Sequence, residues 1–346
     1  MGCKMIFRRN LSTAAAATFW AMVSAGAHAQ SYNDIETISL SKFTGTITIN
    51  VASERRVEVD ANDGKNANYR YAINTESNVL TIASEKPATL NWNNSWRHFR
   101  GDPFERLLED YPAITLTVPP GTNLIVDNST IAISANGRLG NFETAAGYVD
   151  GTLRDVQSAN IFVASSADLT VGDVAEGVEI KLKGSGDISV GDSDAVELYL
   201  KGSGDVQLGD IANDFNATVR GSGDISSGDI DGMTNVTIQG SGDIRTGNAN
   251  AGAAIEIQGS GDVMMDAVTG PISISVNGSG DTDIDTGRAD GFIAQVNGSG
   301  DIVYGGIAVN PELRANGSGS ISVYRAEGDI DIRGDGDIRV GDKWYD

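Results

Sequence analysis

The chain has 346 residues, room for one to three domains, and 40% hydrophobic residues, enough for a sizeable core, which excludes a disordered tail. Lys+Arg 25 against Asp+Glu 47 gives a net charge of −22, a sign that excludes nucleic acid and anionic membrane surfaces as main partners. The one cysteine, Cys3, falls in a leader, so a disulfide framework, Cys-ligated zinc and a thiol nucleophile are excluded for the mature chain.

Residues 1–29 read as a signal peptide: Lys4, Arg8 and Arg9 form a basic start, Leu11 to Val23 an apolar stretch, and Ala27-His28-Ala29 a small-residue cleavage site. Cleavage leaves 22 basic residues against 47 acidic ones, so the mature chain carries −25. No later window is apolar for the ~18 residues that a membrane span requires, so no transmembrane segment is expected after cleavage. The expected location is outside the cytoplasm, in the periplasm, at the cell surface or released into the extracellular space.

Residues 30–126 alternate apolar and polar side chains, the period of a strand with one buried face. Ile47, Ile49 and Val51, then Val57 and Val59, Leu80 and Ile82, and Ile114, Leu116 and Val118 predict successive strands, with turns at Asn62-Asp63-Gly64 and Pro119-Pro120-Gly121. Residues 87–112 interrupt the pattern as an insertion. There Asp102-Pro103 followed by Phe104, Leu107 and Leu108 predicts a short helix.

From residue 127 onward the chain is repetitive. GSGD begins at Gly184, Gly202, Gly221, Gly240, Gly259, Gly278 and Gly298, followed by GSGS at Gly317 and GDGD at Gly334, in steps close to 19 residues. Stepping back by 19 reaches Ser165, Ala146 and Asp127, which makes about twelve coils or more. Within a coil Val178, Ile180 and Leu182 alternate before the GSGD, and Ile188 and Val190 after it, while Glu179, Lys181 and Lys183 point outward. A 19-residue unit cannot close a core alone and must stack on its neighbours. The predicted fold is all-β, a single-stranded parallel β-helix or β-solenoid. Twelve coils make a rod of roughly 55–60 Å, with residues 30–126 as its opening coils and Lys343 to Asp346 as a C-terminal cap. The glycines of GSG are expected to permit positive φ and to leave room where the chain reverses under the next coil.

The segments FTGTITINVASERRVEVDAND (43–63), NVLTIAS (78–84) and YPAITLTVPPGTNLIVDNS (111–129), leading into repeated GSGDI, resemble the head GIN domain family of auto-transporter adhesins. The resemblance runs from about Ile38 to the C-terminus. It implies an exported parallel β-helix with no established catalytic residues and an adhesive role. No part of the chain shows the ~10-residue strands and aromatic girdles of a translocator barrel, so self-transport through an outer membrane is not expected of it.

The most conspicuous constellation is the column Asp187, Asp205, Asp224, Asp243, Asp262, Asp281 and Asp301. Neighbouring carboxylates ~5 Å apart repel by about 1 kcal/mol even in bulk water, so something offsets them. Either each aspartate accepts turn N–H groups, as in Asx turns, or adjacent coils share a divalent cation, calcium being the fit for an all-oxygen donor set. A second column, Asp173, Asp192, Asp210 and Asp229, marks another corner. The row Lys183, Lys201, Arg220, Gln239, Gln258, Asn277, Asn297 and Asn316 faces outward, and its amides are placed to hydrogen-bond along the rod. Trp92, Trp96 and Phe99 in the insertion are candidate ligand-binding residues for sugar rings.

Carboxylates occur throughout and none forms a distinguished pair, and the mature histidine His98 has no nucleophile motif around it. The sequence therefore points to a non-enzymatic exported protein, an adhesin or envelope interaction protein binding glycans or other polymers multivalently. The alternatives are a polysaccharide-active β-helix lyase or glycosidase, and a calcium-stabilised structural rod.

Overall fold

Alternation along Val174–Leu182 resolves as expected: Val178, Ile180 and Leu182 are buried, while Glu179 and Lys181 face outward. The computed structural model describes residues 30–66, 69–85 and 107–345. The leader lies outside those residues, as does the predicted helix except for its end, where Leu107 and Leu108 are helical and Leu108 packs on Tyr111.

Each coil, or rung, has one strand upstream of the glycine corner and one downstream of it, and both pair in parallel with the equivalent strands of adjacent rungs. On the upstream face Val178 pairs with Ala159 on one side and Val196 on the other, and the ladder continues through Phe215, Thr234, Ala253 and Ile272. On the downstream face Ile188 sits between Leu169 and Val206. A third row of single bridges, Ser193 to Ile211 to Ile230 to Ala249, marks the side that returns the chain to the next rung.

About eleven regular turns run from Asn141 to the C-terminal end, with a repeat near 19 residues. Stacking places one aliphatic column through the interior: Val163, Leu182, Leu200, Val219, Ile238, Ile257, Val276 and Val296 are all fully buried. Each such side chain contributes about 2 kcal/mol by leaving water. No rung retains that burial without the rungs above and below it.

The N-terminal strands do not stack in chain order, contrary to the succession read from their alternation. Thr37–Ser41 lies between Val79–Ser84 and Asn123–Asp127, and Thr44–Val51 lies between Ala113–Val118 and Thr130–Ala135. The chain thus builds an inner rung first, makes the outermost rung from Val79–Ser84 and Ala113–Val118, and returns on the other side of the inner one. Antiparallel strands close that end. Arg56–Asn62 covers Ala113–Val118 and is itself covered by Gln30–Asn33, while Tyr71–Glu76 covers Val79–Ser84. Positive φ at both Ser77 (47°) and Asn78 (65°) gives the tight primed turn that such a hairpin needs.

At the C-terminal end Lys343–Tyr345 turns back antiparallel on Asp337–Val340. Arg339 over the Trp344 ring at 5.8 Å ties the two strands together. Counting the three N-terminal rungs, fourteen strands form the upstream parallel ladder among the described residues, a length of roughly 62 Å.

Candidate functional site: the glycine corner and its flanking columns

At the GSGD corner the backbone ladder does not stop. The N–H of Ser222 donates to the carbonyl of Gly202 at 3.0 Å, and Ser241, Ser260, Ser279 and Ser299 repeat the bond at the same length. Backbone therefore lies directly on backbone. A Cβ at Gly221 would stand 1.8 Å from Gly202 O, and one at Gly223 would stand 2.0 Å from Gly204 O. Close approach, and not the expected positive φ, requires glycine at these corners. Of the GSGD glycines only Gly186 has a left-handed φ, at 111°.

The seven aspartates form one continuous column. Each carboxylate accepts the backbone N–H of the equivalent residue one rung on: Asp205 N–H donates to Asp187 Oδ1 at 3.2 Å, Asp224 to Asp205 at 2.9 Å, Asp243 to Asp224 at 2.9 Å, and Asp262 to Asp243 at 2.8 Å. Asp281 and Asp301 continue it at 2.7 Å. The C-terminal end is closed by Ser320, whose N–H and hydroxyl both donate to Asp301 Oδ1. These are charge-assisted bonds between rungs, where the sequence suggested local Asx turns, and they offset the repulsion between neighbouring carboxylates.

The column begins earlier than the sequence reading placed it. Asp168 Oδ1 accepts the Asp187 N–H at 3.2 Å. Its register was available one repeat back from Asp187, but without a GSGD around it the residue carries no motif. The second column works in the same way, from Asp155 through Asp173, Asp192, Asp210 and Asp229 to Asn248, at 2.8–3.3 Å. There each carboxylate lies over a glycine of the next rung: a Cβ at Gly191 would meet Asp173 Oδ1 at 2.4 Å. Among the described residues no group of three or more His, Cys, Asp or Glu is placed to hold a metal ion.

Beside the first column the downstream face forms a groove of about 740 Å³ that crosses seven rungs. Asp150, Asp168, Asp187, Asp205, Asp224 and Asp243 line one side, Thr170, Ser189, Gln207 and Ser226 form the floor, and Arg245 and Met264 lie at its C-terminal end. Ser189, Gln207 and Ser226 are the outward members of strands of two or three residues, too short for the sequence to mark them as a surface.

On the other side of the corner the outward row runs from basic to amide, as read. Asn316 Nδ2 donates to Asn297 Oδ1 at 2.8 Å and Asn297 Nδ2 to Asn277 Oδ1 at 2.9 Å, whereas Gln258 and Asn277 turn their amides to Glu256 and Ser275 of their own strands. The exposed serines of GSGD run between this row and the aspartates. Trp92, Trp96, Phe99 and His98 lie outside the described residues. The chain leaves Val79–Ser84 and re-enters at Ala113–Val118, so the insertion departs from the GSGD-equivalent corner of the outermost rung.

Stacked parallel rungs that present the same groups at a fixed pitch define a β-solenoid with a repetitive outer surface. The chain belongs to the family described as "Putative auto-transporter adhesin, head GIN domain", whose profile matches residues 125–270 and 266–343, more than half of the chain. It is adhesin-like in that sense. No curated protein matches the sequence. Among solved structures, a putative adhesin from Bacteroides fragilis is similar at 13% identity and TM-score 0.37, over 75% of this chain and 97% of that one. A putative adhesin from Parabacteroides distasonis is similar at 16% identity and TM-score 0.25, over 91% and 97%. A putative lipid binding protein from the same organism is similar at 13% identity and TM-score 0.29, over 84% and 98%. Among the described residues no helix is long and apolar enough to cross a membrane.

Proposed function

We propose that this chain is exported and works without catalysis, as an adhesive rod that binds glycans or other polymers of the envelope or its surroundings through many weak, repeated contacts. The observation that carries this reading is the groove beside the aspartate column. It crosses seven rungs and offers carboxylates along one wall and hydroxyl and amide groups along its floor. Such a track suits a partner that is itself a repeating chain, because one contact per rung multiplies into avidity without any single strong site. Every column carboxylate has the same role toward the next rung, so none stands apart as the acid or base of a hydrolase or lyase pair. The insertion with Trp92, Trp96 and Phe99 departs from the end of the same corner row, and we assign it an extension of the binding surface.

The test is a glycan and extracellular-matrix array probed with residues 30–346, with and without residues 87–112, followed by product analysis on the polymers retained. Retention without new reducing or unsaturated ends is the expected result. New ends would make the chain an enzyme, and no retention of any polymer would remove the adhesive role.

A further inference from the structure

On a chain with 25 basic residues against 47 acidic ones, basic residues that gather are informative. Lys181, Lys183, Lys201 and Arg220 lie on three consecutive rungs of the upstream face, with Glu179 and Glu197 as the carboxylates among them. Lys181 pairs with Glu179, whereas Lys183, Lys201 and Arg220 form no ion pair among the described residues. Phe162 and Tyr199 interleave with them, since Lys181 is in register with Phe162 on one side and Tyr199 on the other. Both rings are outward in strands whose inward members are aliphatic, and both are only half-buried. Each holds the cation of the following rung: the Lys183 ammonium stands 5.0 Å from the Phe162 ring centre, and the Arg220 guanidinium 5.6 Å from that of Tyr199. The rings thus fix charged heads that would otherwise be mobile, which lowers the entropic cost of using them in binding.

We infer that this face binds an acidic polysaccharide of the uronate type, with one carboxylate per sugar. The inference rests on the adhesive reading above and adds to the groove a second binding surface, on the other side of the corner, with its own partner. Lys183, Lys201 and Arg220 occupy the same register on successive rungs, with a backbone pitch of about 4.8 Å. An extended uronate chain presents its carboxylates singly, one on each successive ring. Beyond Arg220 the same row continues as Gln239, Gln258 and Asn277, exposed and uncharged. Duplex nucleic acid carries a charge every ~1.7 Å of axis, wound round a helix, and that density meets the −22 of the whole molecule. A flat anionic membrane is broad enough to face the aspartate column around the corner as well as the cation row. A single polymer laid along the row avoids both.

The downstream amides also supply the test, because Lys183→Gln, Lys201→Gln and Arg220→Gln turn these rungs into copies of rungs already in the molecule. Residues 30–346 are expected to bind polygalacturonate but not neutral dextran, with affinity that falls as salt is added. The triple variant is expected to bind roughly tenfold more weakly at an unchanged melting temperature. Gln239→Lys, which extends the cation row by one rung, is expected to tighten binding. Equal affinity of the triple variant, no gain from Gln239→Lys, or tighter binding of duplex DNA or phosphatidylglycerol vesicles than of polygalacturonate would each overturn the assignment. A chain that retains neutral polymers and ignores polygalacturonate also overturns it, and leaves the adhesive reading standing. A chain that retains no polymer at all removes both.

Discussion

The aspartate at each corner does structural work that its exposed position conceals. Asp224 Oδ1 holds the N–H of Asp243 at 2.9 Å, so Asp224→Ala leaves that N–H to water and is expected to cost about 1 kcal/mol in urea denaturation. Asp224→Asn keeps the accepting oxygen and removes one charge from a like-charged row, and it is expected to lie close to the parent. The molecule already uses amides in this way: Asn123 Oδ1 accepts the Asn141 N–H at 2.8 Å and Asn310 Oδ1 the Asp329 N–H at 3.0 Å. Because the carboxylates are engaged by backbone, millimolar calcium is expected to leave the melting temperature where it is, and a rise would restore the calcium-stabilised rod. Glycine separates into two kinds at this scale. Gly221→Ala drives a Cβ to 1.8 Å from a carbonyl of the rung below and is expected to cost 3 kcal/mol or more, about as much as the severe core substitutions. Gly177→Ala meets nothing nearer than 3.7 Å on an exposed strand and is expected to be neutral or slightly stabilising, so equal losses in thermal melts would contradict the stacked-corner geometry.

Among the strands, what was legible in the sequence was whatever every rung repeats. Val178, Ile180 and Leu182 recur as Val196, Leu198 and Leu200 one repeat on, so alternation and period together forced parallel stacking and the inward faces. Pairing order at the N-terminal end was not legible, because Ile47 and Ile49 bury equally well against either neighbour, and only the three-dimensional path places Thr44–Val51 between Ala113–Val118 and Thr130–Ala135. Phe162 and Tyr199 were visible as letters but not as a surface, since their pairing with Lys183 and Arg220 runs from rung to rung and not along a strand. A solenoid of identical rungs has an exposed edge at each end, and this chain closes both downstream edges with antiparallel strands. Removing residues 343–346 uncovers Asp337–Val340. Self-association visible by light scattering is the expected consequence, and a truncated chain that remains as monodisperse as the parent would show that the last strand is not a protective cap.

At the scale of the whole molecule the rungs convert a short sequence unit into a straight surface with three parallel rows beside one corner: cations passing into amides, serine hydroxyls, and aspartates. Net charge and local charge act at different ranges. The −22 of the chain disfavours dense polyanions, while screening over about 8 Å lets three unpaired cations on adjacent rungs act as a local site. Recognition spread over rungs differs from recognition in a pocket in how affinity depends on the length of the partner. The most direct measurement is therefore the dissociation constant of residues 30–346 for galacturonate fragments of increasing size, from the single sugar to the polymer. Recognition by rungs predicts negligible binding of the single sugar and affinity that climbs steeply until a fragment spans the cation row. A single sugar that binds as tightly as the polymer would contradict it.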